Sequence, residues 1–152
     1  MVVDHADIAQ RYIIELWEER DLDVVSALVD EHYVLRDPLS LLEGRDALVE
    51  RLRNDSFTDV MIIIEDVIAA HDRVVVRSTW QGVQRGAFLG LPATHKRAVL
   101  DVVHVLTIAD GLVVEDSTYF DVYALFEQLG ALPAPDKLAA PKRLAPVLRL
   151  VP

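Results

Sequence analysis

The chain contains no cysteine in its 152 residues. That excludes a disulfide framework, thiol catalysis and Cys-ligated zinc. Long apolar runs are missing as well. The longest aliphatic stretch, Val60 to Ile64, is far short of the ~20 residues that cross a bilayer as a helix. The opening residues, Met-Val-Val-Asp-His-Ala-Asp, lack a basic segment followed by an apolar core, so they do not read as a secretory signal. These absences lead to the expectation of a cytoplasmic protein without a membrane partner. Basic charge is scarce: 15 Lys and Arg stand against 25 Asp and Glu, a net charge of −10. Nucleic acid is a poor partner for such a surface, because phosphate binding needs positive charge. His5, His32, His71 and His95 show no metal-ligand spacing, and no HExxH, GxSxG, Walker or GxGxxG motif is present. The sequence therefore implies neither a metal nor a cofactor.

The length suits one domain with a substantial core. A hydrophobic fraction of 52% and a mean hydropathy of +0.24 suit a protein that buries both a cavity lining and an oligomer face. Ile8, Tyr12 and Leu16, with Ile13 and Trp17 alongside, form an apolar stripe that predicts a helix from about Asp4 to Arg20. Asp21 is a suitable N-cap for a short helix through Leu28 and Val29. Residues His32 to Asp37 alternate as a strand that stops at Pro38. Gly44 opens a third helix to about Arg53, with Leu48 and Leu52 inward. The pattern then turns to β. Phe57–Ala69 and Arg73–Gln84 are joined at His71-Asp72, and Arg97–Ile108 and Leu112–Phe120 at Asp110-Gly111, a strong hairpin signal. A last helix covers about Val122 to Leu129 and stops at Gly130. Helices followed by a meander imply an α+β fold.

The strand Arg97–Ile108 is apolar on both faces: Leu100, Val102, Leu106 and Ile108 on one, Val99, Val103 and Val105 on the other. Such a strand needs cover on both sides, which predicts a homodimer through the outer face of the sheet. Five of the seven prolines fall in Pro133–Pro152, so residues 134–152 read as an extended arm. The arm is basic, with Lys137, Lys142, Arg143 and Arg149 against Asp136 alone.

The order Trp80-Gln-Gly-Val-Gln-Arg-Gly-Ala-Phe-Leu-Gly-Leu-Pro-Ala-Thr-His-Lys96, two apolar strands, then Phe120-Asp-Val-Tyr-Ala-Leu-Phe-Glu-Gln-Leu-Gly130 resembles the SnoaL-like polyketide cyclases. These form a branch of the superfamily of ketosteroid isomerase and nuclear transport factor 2. Ala9-Gln-Arg-Tyr12, Arg20-Asp-Leu-Asp23 and Val34-Leu-Arg-Asp-Pro38 resemble the N-terminal pattern of ketosteroid isomerase. The resemblance covers about residues 7–133. It implies a cone (the nuclear transport factor 2-like or cystatin-like α+β barrel) in which a curved, mostly antiparallel sheet is wrapped by three N-terminal helices around a ligand cavity. The expected domain organisation is a cone of residues 1–133 followed by the arm of residues 134–152.

Asp37 shares a strand face with Tyr33 and Leu35, and burial among apolar neighbours makes a carboxylate a usable proton acceptor near neutral pH. The resemblance gives Asp37 the general base's place and Tyr12 that of an oxyanion donor; equally, Asp-Pro is a common turn starter and Tyr12 a core residue. His104 stands where the isomerase, and often the cyclases, hold an aspartate. A histidine there can donate a hydrogen bond to an enolate or supply a proton. A three-residue loop at Ala109–Gly111 places His104 opposite Asp116; a two-residue Asp-Gly turn places it opposite Ser117. Gln84 replaces the histidine of the cyclases' Gly-Thr-His run and cannot transfer protons. Trp17, Trp80, Gln84, Thr118 and Phe120 are expected to line the cavity, with Phe88 and Leu89 at its mouth. Epoxide hydrolases of this fold use an Asp–Arg–Asp set, for which Arg77 has the wrong parity. The leading expectation is a cofactor-independent cyclase or isomerase of an apolar, carbonyl-bearing small molecule, polyketide- or terpenoid-like. Asp37 is the expected base, and His104 with Tyr12 the enolate's support. The competing reading is a non-catalytic binding or assembly module.

Overall fold

The computed structural model describes residues 4–132. The basic arm of residues 134–152, and with it the proposed boundary of the cone, lies outside them. Helix α1 (His5–Arg11) is capped by Asp4, whose carboxylate accepts the Ala6 N–H. It continues without a break into a π-helical segment, Tyr12–Glu18, closed by a bond from the Glu19 N–H to the Ile14 carbonyl at 2.9 Å. The wider turn puts Tyr12 and Trp17, five residues apart, on one face, and their rings meet edge-on at 6.4 Å. Ile8, Tyr12, Ile13 and Leu16 are buried, as the stripe requires.

Asp21 caps a single 3-10 turn, Leu22–Val24, followed by α2 (Val25–Leu28). Strand β1 (Val29–Asp37) then starts three residues before the expected His32. After Pro38-Leu39 the chain doubles back as β2 (Ser40–Glu43), a strand too short for its four residues to show a periodicity. Helix α3 (Arg45–Arg53) buries Leu48 and Leu52. Strands β3 (Phe57–Ala70), β4 (Arg73–Gln84), β5 (Arg97–Ala109) and β6 (Leu112–Tyr119) follow, then α4 (Val122–Gln128), capped by the Asp121 carboxylate.

The six strands form one sheet in the order β2-β1-β6-β5-β4-β3. Every neighbouring pair is antiparallel except β1 and β6, which run parallel. Register shifts interrupt β3 twice against β4, at Thr58/Met61 and Ile64/Asp66, and the β5–β6 pair at Thr107/Ile108. Each shift bends its strand and adds twist, and the sheet curls around its even-numbered β5 face. Ala98, Leu100, Val102, His104, Leu106 and Ile108 are all buried there. One apolar cluster joins the first helix to the sheet through Tyr12, Leu16, Val76 and Leu106. A second gathers Leu100, Val102, Leu125 and Leu129 beside α4.

The odd-numbered face is only partly covered within one chain. Val103 and Val105 are half-buried, while Met61, Ile63, Val99 and Tyr119 are exposed. The expectation that both faces of β5 are buried is thus met on one side only.

Gly82 lies beneath the Trp80 indole, and a Cβ placed there would stand 2.8 Å from Trp80 Cζ2. Gly82→Ala must push the ring towards the cavity. Overpacking of this kind costs about 1–3 kcal/mol, to be read as a lower urea midpoint with an unchanged m-value.

Candidate active site

The site is organised by a carboxylate with no exposure to solvent, Asp116 on β6. Burial of an ionised carboxylate is costly unless donors surround it, and three converge here. The Tyr12 hydroxyl donates to Oδ2 at 2.7 Å, and the Thr118 hydroxyl to Oδ1 at 2.9 Å. His104 Nδ1 lies 3.0 Å from Oδ2 and 3.2 Å from Oδ1. Tyr33 extends the network by a short hydrogen bond between its hydroxyl and that of Tyr12. Tyr12 is held neutral: burial first, then the Asp116 charge and Tyr33, push its pKa well above the ordinary tyrosine value. Tyr33 is raised likewise, by burial and then by Asp116. Two neutral phenols thus point their protons along one line to the carboxylate. A carboxylate that only accepts selects the His104 tautomer with its proton on Nδ1, leaving Nε2 as the ring's second functional nitrogen.

The register behind this contact differs from both expectations. The Asp110-Gly111 turn is the two-residue kind, pairing Ala109 with Leu112, but the shift at Thr107/Ile108 moves the partner on by one. His104 faces Thr118, and Asp116 faces Leu106. His104 reaches Asp116 diagonally along the concave face. An extra residue beyond a turn leaves no mark in the alternation when both strands are apolar.

A cavity of about 330 Å³ opens between the two apolar clusters. His104, Thr118, Trp17, Trp80 and Phe120 line it, together with Phe88 and Leu89. Tyr12 and Asp116 do not line it. They sit behind His104, so Tyr12 supports the carboxylate rather than presenting its hydroxyl to the cavity, which corrects the oxyanion-donor placement. Asp37 lines the cavity but not in an apolar setting. Its Oδ1 accepts the Leu39 N–H at 2.8 Å, and its Oδ2 accepts the Ser40 hydroxyl at 2.9 Å with Arg51 Nη2 at 3.5 Å. Next to it are Asn54 and the Arg20–Asp55 ion pair. The cavity therefore has an ionic end and an apolar end, and His104 is part of its wall.

The sequence profile of the SnoaL-like polyketide cyclases matches residues 7–129. The chain belongs to this family. No curated protein matches it in sequence. Among solved structures, TsrD from Streptomyces laurentii is similar at 26% identity, covering 86% of this chain and all of its own, with a TM-score of 0.74. A candidate SnoaL-like polyketide cyclase from a Jannaschia species shares 24% identity over 88% of this chain and 97% of its own, with a TM-score of 0.77. A protein from Catenulispora acidiphila with a ketosteroid isomerase-like fold shares 18% over 88% and 98%, with a TM-score of 0.69. The α+β cone is the fold of this group.

Within this SnoaL-like chain Gln84 has a role other than the expected lining. It is fully buried and does not reach the cavity. Its amide nitrogen lies 3.1–3.3 Å from the carbonyls of Gly86, Leu91 and Pro92, and its Oε1 accepts the Thr94 N–H and hydroxyl. Gln84 thus ties down the loop that carries Phe88 and Leu89. At the loop's tip Leu89 (φ +47°) and Gly90 (φ +82°) make a tight turn closed by two Phe88–Leu91 bonds of 2.9 Å. Phe88 then packs edge-on against Phe57 at 5.2 Å and stacks on Phe126 at 5.9 Å. Sequence reasoning missed Tyr33, Arg51, Arg20 and Asp55. Tyr33 shared the parity of Asp37 and was legible on that ground. The other three come together only when the first helix, α3 and the start of β3 meet.

Raised pKa values for Tyr12 and Tyr33 mean that the unfolded chain loses these protons first. Stability is then complete below about pH 10 and falls as pH rises beyond it. Tyr33→Phe removes one such group, and urea titrations between pH 10 and 11 should show a slope shallower by up to about 1.4 kcal/mol per pH unit.

Proposed function

We propose that this protein is a cofactor-independent acid–base enzyme, a cyclase or isomerase that forms an enolate on an apolar, carbonyl-bearing small molecule of polyketide or terpenoid type. The observation that carries the reading is the His104–Asp116 pair. A histidine on the wall of an apolar cavity, fixed through Nδ1 by a buried carboxylate, directs Nε2 at a ligand in one tautomer and orientation. His104 Nε2 takes the proton next to the substrate carbonyl, and Asp116 stabilises the imidazolium that results. The same nitrogen returns the proton to the product. Thr118 lies at the same wall, with its hydroxyl already directed to Asp116. The cavity's shape then decides whether the enolate closes a ring or is reprotonated elsewhere.

This assignment moves the base from Asp37 to His104. Asp37 already accepts from a backbone N–H, a hydroxyl and a guanidinium, which tie its carboxylate to the protein. Ring opening of a nitrobenzisoxazole, which needs only a base in an apolar pocket, separates the two. His104→Gln should lower the rate by about 10²–10⁴-fold, Asp116→Asn by at least tenfold, and Asp37→Asn by no more than a few-fold. An unaffected His104→Gln would leave the chain a binding or assembly module; a large loss in Asp37→Asn alone would restore that residue as the base.

We also propose that two copies pair through the outer sheet face. Met61, Gln81 and Val99 form one cross-strand row, and Ile63, Thr79 and Asp101 the next, so the exposed Met61, Ile63 and Val99 share this face with Gln81 and Thr79 between them. Light scattering behind size exclusion should give twice the chain mass at micromolar concentration, and Val99→Lys should give a folded monomer.

A further inference from the structure

The ionic end of the cavity plays no part in the proton transfer described above. Among the described residues it holds the two arginines of the lining, Arg20 and Arg51, together with Asp37 and Asp55. The formal charges cancel, but the hydrogen-bonding capacities do not. Both carboxylates are committed to the protein: Asp37 to Leu39, Ser40 and Arg51, and Asp55 to the Phe57 N–H at 3.1 Å and to Arg20 Nη2. The donors are under-used. Arg20 Nη1 and the indole Nε1 of Trp17 are buried and have no acceptor, and the Arg20 guanidinium lies 5.8 Å from the Trp17 ring centre. Among the described residues Arg51 makes one hydrogen bond of ordinary length, 3.1 Å to Ser40 Oγ, and one long contact, 3.5 Å to Asp37. Buried donors without acceptors are rare in folded proteins, and each one needs an explanation.

Resting on the reading of this cavity as a substrate site, we propose that the substrate carries a carboxylate, held at this end by Arg20, Arg51 and the Trp17 indole N–H. The planar fork of a guanidinium matches a carboxylate in both spacing and direction. The anion supplies the acceptors that Arg20 Nη1 and Trp17 Nε1 lack, after a small side-chain rotation brings them to the cavity surface. Desolvation does not prohibit it, because this end borders a second recess that shares Arg20, Asp55 and Phe57, and the Arg51 side chain is 37% exposed. The opposite wall, Leu100, Val102, Phe120 and Leu125, takes the apolar frame. A ligand so placed extends from the arginines past His104, and the substrate class narrows from an apolar ketone to an apolar keto acid. The carboxylate also orients the molecule, so that one of its carbonyl-flanking carbons meets His104 rather than any of them.

Calorimetry with 2-naphthoate and its neutral methyl ester tests this without any turnover. The acid should bind the wild-type protein on the order of tenfold more tightly than the ester at low ionic strength, and the difference should shrink in high salt. Arg51→Gln, which leaves Asp37 its Leu39 and Ser40 donors and so preserves the fold, should remove most of the preference while leaving ester binding within about twofold. Trp17→Phe keeps the ring and removes its N–H, and should reduce acid binding alone. Arg20→Gln, checked by thermal melting because it unpairs Asp55, should act as Arg51→Gln does. Equal binding of acid and ester, or a preference that survives Arg51→Gln and Arg20→Gln, overturns the proposal. Such a result leaves the His104 assignment untouched, since that is read from the base-catalysed ring opening.

Discussion

A carboxylate with no exposure has to be surrounded by donors, and much of this structure follows from how Asp116 meets that demand. Its three donors come from three places: Tyr12 at the start of the π-helical segment, His104 on β5 and Thr118 on β6 itself. Satisfying it therefore couples the first helix to the sheet and fixes the β5–β6 register at the same time. Removing one donor from such a centre costs more than the hydrogen bond is worth, because a buried charge is left short of partners. The same demand holds His104 in one tautomer and one orientation at the cavity wall. A requirement of stability and a requirement of chemistry are met by the same contacts.

The cavity is graded from charged to apolar. At one end two ion pairs sit close together, drawn from the turn after the first helix, the last residue of β1, α3 and the segment before β3; at the other, aliphatic and aromatic side chains of β5, α4 and the loop around Phe88 meet. A low-dielectric wall beside fixed charges strengthens every electrostatic contact within reach. The buried Gln84 matters for the same reason at a distance. By engaging both its amide nitrogen and its oxygen with the loop backbone, it holds Phe88 against Phe57 and so closes one side of the apolar end.

Most of the architecture was legible in the chain. The stripe of Ile8, Tyr12 and Leu16, the capping aspartate at position 21, the Asp110-Gly111 turn and the alternation along β5 are local signals that survive into the tertiary structure. β2 was not legible, since four residues show no period. Nor were the different surroundings of His104 and Asp37. Parity placed both on the inner face, but parity does not reveal that Ser40 and Arg51 turn back onto Asp37. Gln84 had the parity of a lining residue and the polarity of a ligand contact, and it is instead consumed by the loop.

By itself, the sequence determined what depends on near neighbours: the elements, their inward faces, the apolar part of the cavity lining and the family to which the chain belongs. Tertiary structure decided which polar groups meet. His104 with Asp116, Tyr12 with Tyr33, Arg20 with Asp55 and Arg51 with Asp37 are separated by between 12 and 35 residues or are set by a one-residue shift in register. Hydrogen bonds act over about 3 Å, whereas periodicity reports only the side of an element on which a residue lies.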